Sequence, residues 1–218
     1  MKASFRIQQL DSMITQHYDH IWDCCCDHGQ LGLRLLARGA ANTIHFVDIV
    51  QPLMDELEEK LLQHDREASD AHWQVHCMDV AKLRFSSDET HLVIISGVGG
   101  ELIIDFITAI LASNPLAKLE FILCPVHHNY QLRCALGTEE FGLVAERLIK
   151  ENNRFYEALH ISTSAQKPIA LVGSEMWDLT RQDDQDYLQK TLAHYRRVAK
   201  SKPGMDDIIR SYEVLLLA

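Results

Sequence analysis

Several features of membrane and secreted proteins are missing from this 218-residue sequence. Its main apolar runs, around residues 92–95 and 102–111, are broken by glycine or acidic residues and are too short to cross a bilayer. The N-terminal segment MKASFRIQQLDSMITQHYDH has neither the apolar core nor the cleavage site of a signal peptide. The six cysteines show no spacing typical of a disulfide framework, which favours a reducing compartment. We therefore expect a globular protein of the cytoplasm with no membrane partner.

Positive charge is also scarce. The chain has 21 Lys and Arg against 31 Asp and Glu, a formal net charge of −10. This balance argues against a protein coated in positive charge for binding nucleic acid. One helix, predicted over residues 182–201, nevertheless carries Lys190, Arg196, Arg197 and Lys200. Two interpretations of these cations stay open: a solvated helix face, or a local basic face that contacts RNA.

The order of apolar segments indicates the fold class. Five short segments rich in β-branched and aromatic residues predict strands: HIWDCCC, NTIHFVDI, WQVHCMDV, HLVIISGV and LEFILCP. Three segments with helical periodicity lie among them: GQLGLRLLARGA, QPLMDELEEKLLQH and GGELIIDFITAILAS. Such alternation is typical of an α/β protein with a doubly wound, Rossmann-like parallel sheet. Two later segments, GLVAERLIKEN and RFYEALHISTS, flank Asn152 and Asn153 and predict an antiparallel hairpin at the sheet edge.

The character of the chain changes near Gly173. Two amphipathic helices joined by Pro203 and Gly204 predict a helical hairpin. Their apolar positions recur at helical spacing in Leu188, Leu192 and Tyr195, and again in Ile208, Ile209, Tyr212 and Leu216. We therefore predict one domain over residues 1–173 and a two-helix appendage over residues 174–218.

Three consecutive cysteines, Cys24, Cys25 and Cys26, raise the question of a metal or redox site. Metal-binding cysteines are usually separated by other residues, as in C-x-x-C. Successive strand residues also point to opposite faces, so three in a row cannot converge on one ion. We interpret them as small, buried apolar residues and predict no metal.

A nucleotide site is the better interpretation of the surrounding segment, WDCCCDHGQLG. An apolar strand there ends at an acidic residue, and a glycine-containing turn leads into a helix, where doubly wound folds bind nucleotides. Asp48 ends the next strand, where a carboxylate bonds ribose hydroxyls, and Asp79 ends the third strand, within reach of an adenine. The turn lacks G-x-G-x-x-G, so a nicotinamide dehydrogenase fits the fold but not the turn.

Taken in order, these motifs resemble the bacterial tRNA (adenine(22)-N(1))-methyltransferase family, the TrmK family. Residues 23–29 read DCCCDHG where that family carries DIGSDHA, and residues 96–103 read SGVGGELI where it carries AGMGG before RLI. Residues 124–126 read CPV in place of QPN, and residues 151–157 read ENNRFYE in place of E-N/D-G-K-x-Y-E. The family also ends in a two-helix, coiled-coil-like appendage.

The resemblance implies a class I methyltransferase that uses S-adenosyl-L-methionine to methylate N1 of an adenine in tRNA. It implies tRNA as a partner, contacted through the C-terminal basic helix. The residues that would hold the cofactor by this resemblance are Asp23, Cys25, Gly29, Asp48, Asp79, Gly97 and Gly99. Those that would act on the base or position it are Asp27, His28, Pro125 and His127.

Two departures from the family pattern leave an alternative open. Cys25 replaces the first glycine of the turn, where a positive φ would cost a cysteine of order 1 kcal/mol. Cys124 and Val126 replace the two amides of QPN, with His127 as one possible substitute. The alternative is an inactive relative that keeps the fold and binds RNA, a nucleotide or a protein partner.

Overall fold

A seven-stranded sheet forms the centre of the molecule. The computed structural model describes residues 4–64, 72–139 and 141–217. The strand order is β3-β2-β1-β4-β5-β7-β6. The strands are β1 (Tyr18–Cys24), β2 (Ala41–Asp48), β3 (His72–Cys77), β4 (His91–Ser96), β5 (Leu119–Cys124), β6 (Gly142–Glu151) and β7 (Arg154–Ser162). The first five pair in parallel, and β7 runs antiparallel to β5 and β6. The predicted doubly wound sheet with a terminal antiparallel hairpin is therefore confirmed.

Helices cover both faces of this sheet. They are α1 (Phe5–Met13), α2 (Gln30–Ala37), α3 (Gln51–His64), α4 (Gly100–Ser113), α5 (Asn129–Leu136), α6 (Gln182–Ala199) and α7 (Asp206–Glu213). Two of them, α1 and α5, were not predicted from the sequence. Helix α1 starts at Ser4, whose hydroxyl accepts a hydrogen bond from Ile7 N at 3.3 Å. None of the helices within the described residues is long and apolar enough to span a membrane.

The core has one layer on each side of the sheet. Ile21, Ile44 and Phe46 pack with α1, α2 and α3 on one side. Val93 and Phe121 pack with α4 and α5 on the other. The strands are buried on both faces, which explains why their sequences are continuous apolar runs rather than alternating patterns.

The C-terminal helices are attached through a buried polar network. Arg133 in α5 is fully buried and forms ion pairs with Glu146 in β6 at 2.8 Å and with Glu157 in β7 at 2.7 Å. Glu157 also accepts a hydrogen bond at 2.6 Å from the hydroxyl of Tyr187 in α6, and Asn129 Nδ2 donates to that same hydroxyl. Breaking a buried pair of this kind typically costs 3–5 kcal/mol, so the network fixes α6 against the terminal hairpin.

Apolar packing reinforces this attachment. Tyr130 of α5 lies in one buried cluster with four residues of the C-terminal helices, Leu188, Leu192, Ile208 and Tyr212. Leu216 was predicted to extend this apolar face, but it is 57% exposed. The reason is that α7 ends at Glu213 and continues as a 3₁₀ helix, Val214–Leu217, whose tighter winding turns Leu216 away.

A chain of histidine side chains runs across β1, β2 and β3, the strands whose ends carry the candidate site. Nδ1 of His20 lies 2.9 Å from Nε2 of His45, and Nδ1 of His45 lies 3.0 Å from Nε2 of His76. Trp22 stacks on His45 with ring centroids 3.7 Å apart, and its indole N–H donates to His91. The pKa of His45 is lowered to about 3, mainly by burial and to a smaller extent by the neighbouring histidines.

This chain predicts a pH-dependent stability. Two carboxylates next to these histidines act against the lowering of histidine pKa values. Glu89 lies 3.2 Å from His20 Nε2, and Asp19 acts to raise the pKa of His91. Below the pKa of about 6.5 of an unfolded histidine, the unfolded chain binds a proton at His45 that the folded chain rejects. The contribution of His45 to stability is therefore fully present above that pH and is lost as the pH falls.

We expect the free energy of unfolding to drop by about 2 kcal/mol from pH 7.5 to pH 5 through His45 alone. Urea denaturation of the wild type and of His45→Gln across this range measures the effect, and the variant should lose less stability. His17→Gln, at an exposed position, is the control and should follow the wild type. Equal pH slopes for the wild type and His45→Gln would contradict this interpretation.

Candidate functional site

The candidate site lies where the sheet reverses its winding direction. Strand β1 has β2 on one side and β4 on the other, so the carboxyl ends of β1 and β4 flank a topological switch point. A cavity of about 520 Å³ opens there, lined by Asp23 and Cys25 at the end of β1 and by Gly97 after β4. We call it the rim pocket. Open α/β sheets bind ligands at such a position.

The turn after β1 has an uncommon backbone. Strand β1 ends at Cys24, and three of the next five residues have positive φ: Cys25 (55°), Asp27 (51°) and Gly29 (65°). The prediction that the strand continues through Cys26 is therefore wrong, because the left-handed residue at position 25 ends it. The argument from alternating strand faces accordingly does not apply to Cys25 and Cys26. The absence of a metal stays a prediction.

Two carboxylates hold this turn in place. Asp23 Oδ2 accepts a hydrogen bond from Gly32 N at 2.8 Å, which ties the end of β1 to the first turn of α2. Asp48 Oδ2 accepts from Asp27 N at 3.1 Å, and its Oδ1 accepts from Val50 N at 3.1 Å. The ends of β1 and β2 are thus linked across the turn, and both predicted carboxylates lie at the same edge of the sheet.

Burial and mutual repulsion perturb the acidity of these groups. Burial raises the pKa of Asp23 to about 7; the hydrogen bond from Gly32 N opposes this shift, and Asp48 adds to it. The pKa of the Cys25 thiol is raised to about 12, mainly by burial and to a smaller extent by the charges of Asp48, Asp23 and Asp79. Cys25 is therefore an uncharged thiol at neutral pH, surrounded by all three of the predicted strand-end carboxylates.

Asp79 has a structural role that the sequence did not reveal. Its side chain accepts a hydrogen bond from Ala81 N at 3.0 Å and caps the short 3₁₀ helix Val80–Lys82. It does not line the rim pocket. Its proximity to Cys25 places it beside the pocket, at the position predicted to face an adenine.

The segment after β4 passes close to the loop after β5. Gly97 has a φ of 84° and open space around the position of a Cβ atom. A Cβ on Gly99 would lie 2.4 Å from Cε1 of the His127 side chain, and a Cβ on Gly100 would lie 2.7 Å from the backbone oxygen of His128, so glycine at position 100 allows these two loops to meet. Gly100 N donates to His127 O at 3.0 Å, and Val126 N donates to Val98 O at 2.9 Å. His127 is thereby fixed beside the glycine segment that borders the rim pocket.

The predicted base-handling residues are divided between two places. Asp27 and His28 line the rim pocket, with His28 Nε2 3.6 Å from Asp27 Oδ1. His127 lines a different cavity, described below. Pro125 is buried after β5 and lines neither of these two cavities. Gly29 caps α2, and a Cβ there would lie 2.8 Å from Leu57.

Sequence reasoning missed two charged residues of the rim pocket. Arg6 comes from α1, and Glu151 comes from the end of β6, yet both line the pocket. Glu151 Oε1 accepts a hydrogen bond from Arg6 N at 3.0 Å, and the Arg6 guanidinium lies 4.6 Å from the ring centre of Tyr156. Arg6 Nε is buried and has no hydrogen-bond partner among the described residues. The capping serine at position 4 was the available signal that a helix carries Arg6.

A methyltransferase domain family matches this chain. Its family model, described as "Methyltransferase domain", covers residues 3–159. The chain belongs to this methyltransferase domain family. The match includes the rim pocket and its turn, and it ends within β7, before the C-terminal helices. No curated protein sequence matches this methyltransferase chain at a significant level.

Solved structures share the fold of this methyltransferase over nearly its whole length. The Streptococcus pneumoniae protein Sp1610 in complex with S-adenosyl-L-methionine has a TM-score of 0.76 at 20% identity, over 99% of this chain and 100% of that one. M. capricolum TrmK in complex with S-adenosyl-homocysteine has a TM-score of 0.76 at 14% identity, covering 99% and 98%. The B. subtilis M1A22 tRNA methyltransferase TrmK has a TM-score of 0.73 at 16% identity, covering 97% of each chain. At these identities the likeness establishes the fold.

The strained turn gives a direct stability prediction. A non-glycine residue in the left-handed region costs roughly 1–2 kcal/mol, and glycine avoids this cost. We expect Cys25→Gly to raise the free energy of unfolding by about 1 kcal/mol, measured by urea denaturation. Cys77→Gly, at the exposed end of β3, is the matched control and should lower stability by about 0.5–1 kcal/mol. If Cys25→Gly destabilises as much as the control, the turn is not strained at Cys25.

Proposed function

We propose that this protein is an S-adenosyl-L-methionine-dependent methyltransferase that acts on N1 of an adenine in tRNA. The observation that carries the proposal is the rim pocket at the switch point, built by the turn of residues 24–29 in a chain of the methyltransferase domain family. Support for the substrate comes from the full-length fold shared with the B. subtilis tRNA methyltransferase, which includes the C-terminal helices. We also propose that it works in the cytoplasm.

The residues present fit this cofactor. S-adenosyl-L-methionine carries a sulfonium, an ammonium and a carboxylate. The rim pocket offers carboxylates for the two cations in Asp23, Asp27 and Glu151, and the guanidinium of Arg6 for the carboxylate. The unpartnered Nε of Arg6 is a donor that such a carboxylate would satisfy. Asp48 lies at the end of β2, where it would bond the ribose hydroxyls.

The reaction needs positioning more than acid–base catalysis. Bound S-adenosyl-L-methionine would supply the methyl group: the N1 lone pair of adenine would bond to the methyl carbon as the carbon–sulfur bond breaks, and S-adenosyl-homocysteine would leave. Neutral adenine already has that lone pair, so no residue has to remove a proton before transfer. The chain's own residues orient the reactants and exclude water: Gly97 leaves room beside the pocket, and His127, which packs against Gly99, borders the entry of the base.

The proposed function gives a separate role to each of the two predicted parts of the chain. We propose that residues 1–173 bind the cofactor and the target base, and that residues 174–218 contact the tRNA. Of the cations on α6, Arg196 is paired with Glu213 at 2.6 Å. Lys190 and Arg197 lie seven residues apart and share the other face of the helix. The basic surface of α6 therefore includes fewer unpaired cations than the sequence suggested.

The elevated pKa of Asp23 makes cofactor binding depend on pH. Asp23 is largely protonated at pH 6 and largely ionised at pH 8, because its pKa is about 7. A cationic ligand binds the ionised form, so the affinity for S-adenosyl-L-methionine should rise about tenfold from pH 6 to pH 8. Equilibrium dialysis measures this change. Asp23→Asn keeps an acceptor for Gly32 N and should flatten the pH profile of the affinity. An unchanged profile would show that the charge of Asp23 does not contribute to binding the cationic cofactor.

The activity itself is tested with unmodified tRNA and labelled S-adenosyl-L-methionine. Nucleoside mass spectrometry should detect N1-methyladenosine, and reverse transcription should stop at the modified adenine because the methyl group blocks base pairing. Asp27→Asn is the matched variant, since asparagine tolerates the left-handed backbone at position 27. We expect at least tenfold slower methylation from it with the fold retained, because the variant loses a carboxylate that faces the positive charge of the cofactor.

The inactive relative is the outcome if methylation fails. Neither Cys124 nor Val126 has a side-chain amide to offer a base. Cys124 is fully buried, and Val126 is 42% exposed. Cys25, by contrast, adopts a positive φ of 55°, the backbone conformation that a glycine would favour at this position. Binding of S-adenosyl-L-methionine without methyl transfer to any tRNA would favour the inactive relative.

A further inference from the structure

A second cavity, of about 530 Å³, lies between the catalytic edge and the C-terminal helices. Its walls come from the loop after β5, the start of α5, the terminal β-hairpin, α6, the loop between α6 and α7, and α7 itself. We call it the hairpin cleft. It shares no lining residue with the rim pocket, so it is a separate site.

The lining of the hairpin cleft is basic in an acidic protein. Lys190 and Lys202 are both exposed there, with His127, His128 and His194. Among the described residues, neither lysine has a carboxylate within ion-pair distance, and no Asp or Glu lines the cleft. Unpaired cations in a chain of net charge −10 indicate an anionic ligand.

Aromatic rings stand beside these cations. Phe155 at the tip of the terminal hairpin is half-buried, and the Lys190 ammonium lies 4.8 Å from its ring centre. Tyr195 is partly exposed in the cleft, whereas Tyr187 and Tyr212, which also line it, are buried in the apolar clusters beneath. Rings next to cations suit an unpaired nucleotide, because its base stacks on a ring while its phosphate contacts a cation.

The cleft also offers a hydrogen-bond acceptor. Asn129 lines it, and Asn129 Oδ1 has no partner among the described residues. The amide orientation is fixed, because Asn129 Nδ2 donates to the Tyr187 hydroxyl, whose own proton goes to Glu157. An unsatisfied acceptor of this kind destabilises the fold, and a donor on a ligand would satisfy it.

The position of the cleft connects it to the methyl-transfer site. His127 lines the cleft and also packs against Gly99, at the end of the segment that borders the rim pocket. An RNA strand whose target base lies at the rim pocket therefore continues past His127 into the cleft. We propose that the hairpin cleft is a second RNA subsite, which binds an unpaired nucleotide next to the methylated adenine and contacts its phosphate through Lys190 and Lys202.

This inference rests on the proposed function and is tested by tRNA affinity and methylation kinetics. The test variant is Lys190→Ala/Lys202→Ala. The charge-matched control is Lys167→Ala/Lys60→Ala, which removes two cations that are paired with Glu175 and Glu56 outside the cleft and outside the C-terminal helices. S-adenosyl-L-methionine affinity, measured for each variant, shows that the rim pocket is intact.

We expect the test variant to raise the KM and Kd for tRNA about tenfold or more, with kcat retained. Its log Kd should depend less steeply on log salt, by close to two fewer released counterions. The control should stay within about twofold of the wild type. Phe155→Leu should weaken binding about five- to tenfold without changing the salt slope, because stacking carries no charge.

The possible failures can be told apart. If the wild type methylates tRNA and the test variant matches the control, the cleft is not an RNA subsite and the proposed function stands. A protein partner would then be the better candidate for the cleft. If the wild type neither binds nor methylates tRNA, both the subsite and the proposed function are wrong.

Discussion

The site depends on two carboxylates that accept backbone hydrogen bonds across one turn. Asp23 holds the start of α2 through Gly32 N, and Asp48 holds Asp27 N from the neighbouring strand. Without these acceptors, a turn with three left-handed residues would lose the bonds that fix it. The same two groups set the local charge: Asp23 has a pKa of about 7, raised mainly by burial and to a smaller extent by the charge of Asp48. Structure and ligand preference therefore come from the same residues.

A second constraint places the C-terminal helices. Buried Arg133 between Glu146 and Glu157 joins α5 to the terminal hairpin, and Tyr187 and Asn129 extend this network to α6. Asn129 follows directly after the histidines that meet the glycine segment. The hairpin cleft thus has walls fixed by one network, and its distance from the rim pocket is set by packing rather than by a free linker.

Much of the fold could be predicted from the sequence because it depends on local periodicity. The strands of the parallel sheet and the helices α2, α3 and α4 are continuous apolar or amphipathic segments, and the terminal hairpin is marked by Asn152 and Asn153. Helix α1 was missed because its apolar periodicity is weak. Leu216 was misplaced because a switch from α to 3₁₀ geometry leaves no clear trace in spacing.

The candidate site was predictable only in part. Strand-end carboxylates at positions 23, 48 and 79 follow from chain order, since parallel strands end at one edge. The contribution of Arg6 was not predictable, because it depends on where α1 packs against a strand end 145 residues away in sequence. The ion pairs of Arg133 likewise join residues whose proximity only the folded sheet creates.

The central claim is that the rim pocket is a site for S-adenosyl-L-methionine rather than for a dinucleotide. Isothermal titration calorimetry of the wild-type protein with S-adenosyl-L-methionine, and with NADH as the comparison, tests it most directly. The account predicts saturable one-to-one binding of S-adenosyl-L-methionine and no binding of NADH, because the turn lacks the glycine pattern that admits a pyrophosphate. Binding of NADH without binding of S-adenosyl-L-methionine would contradict it.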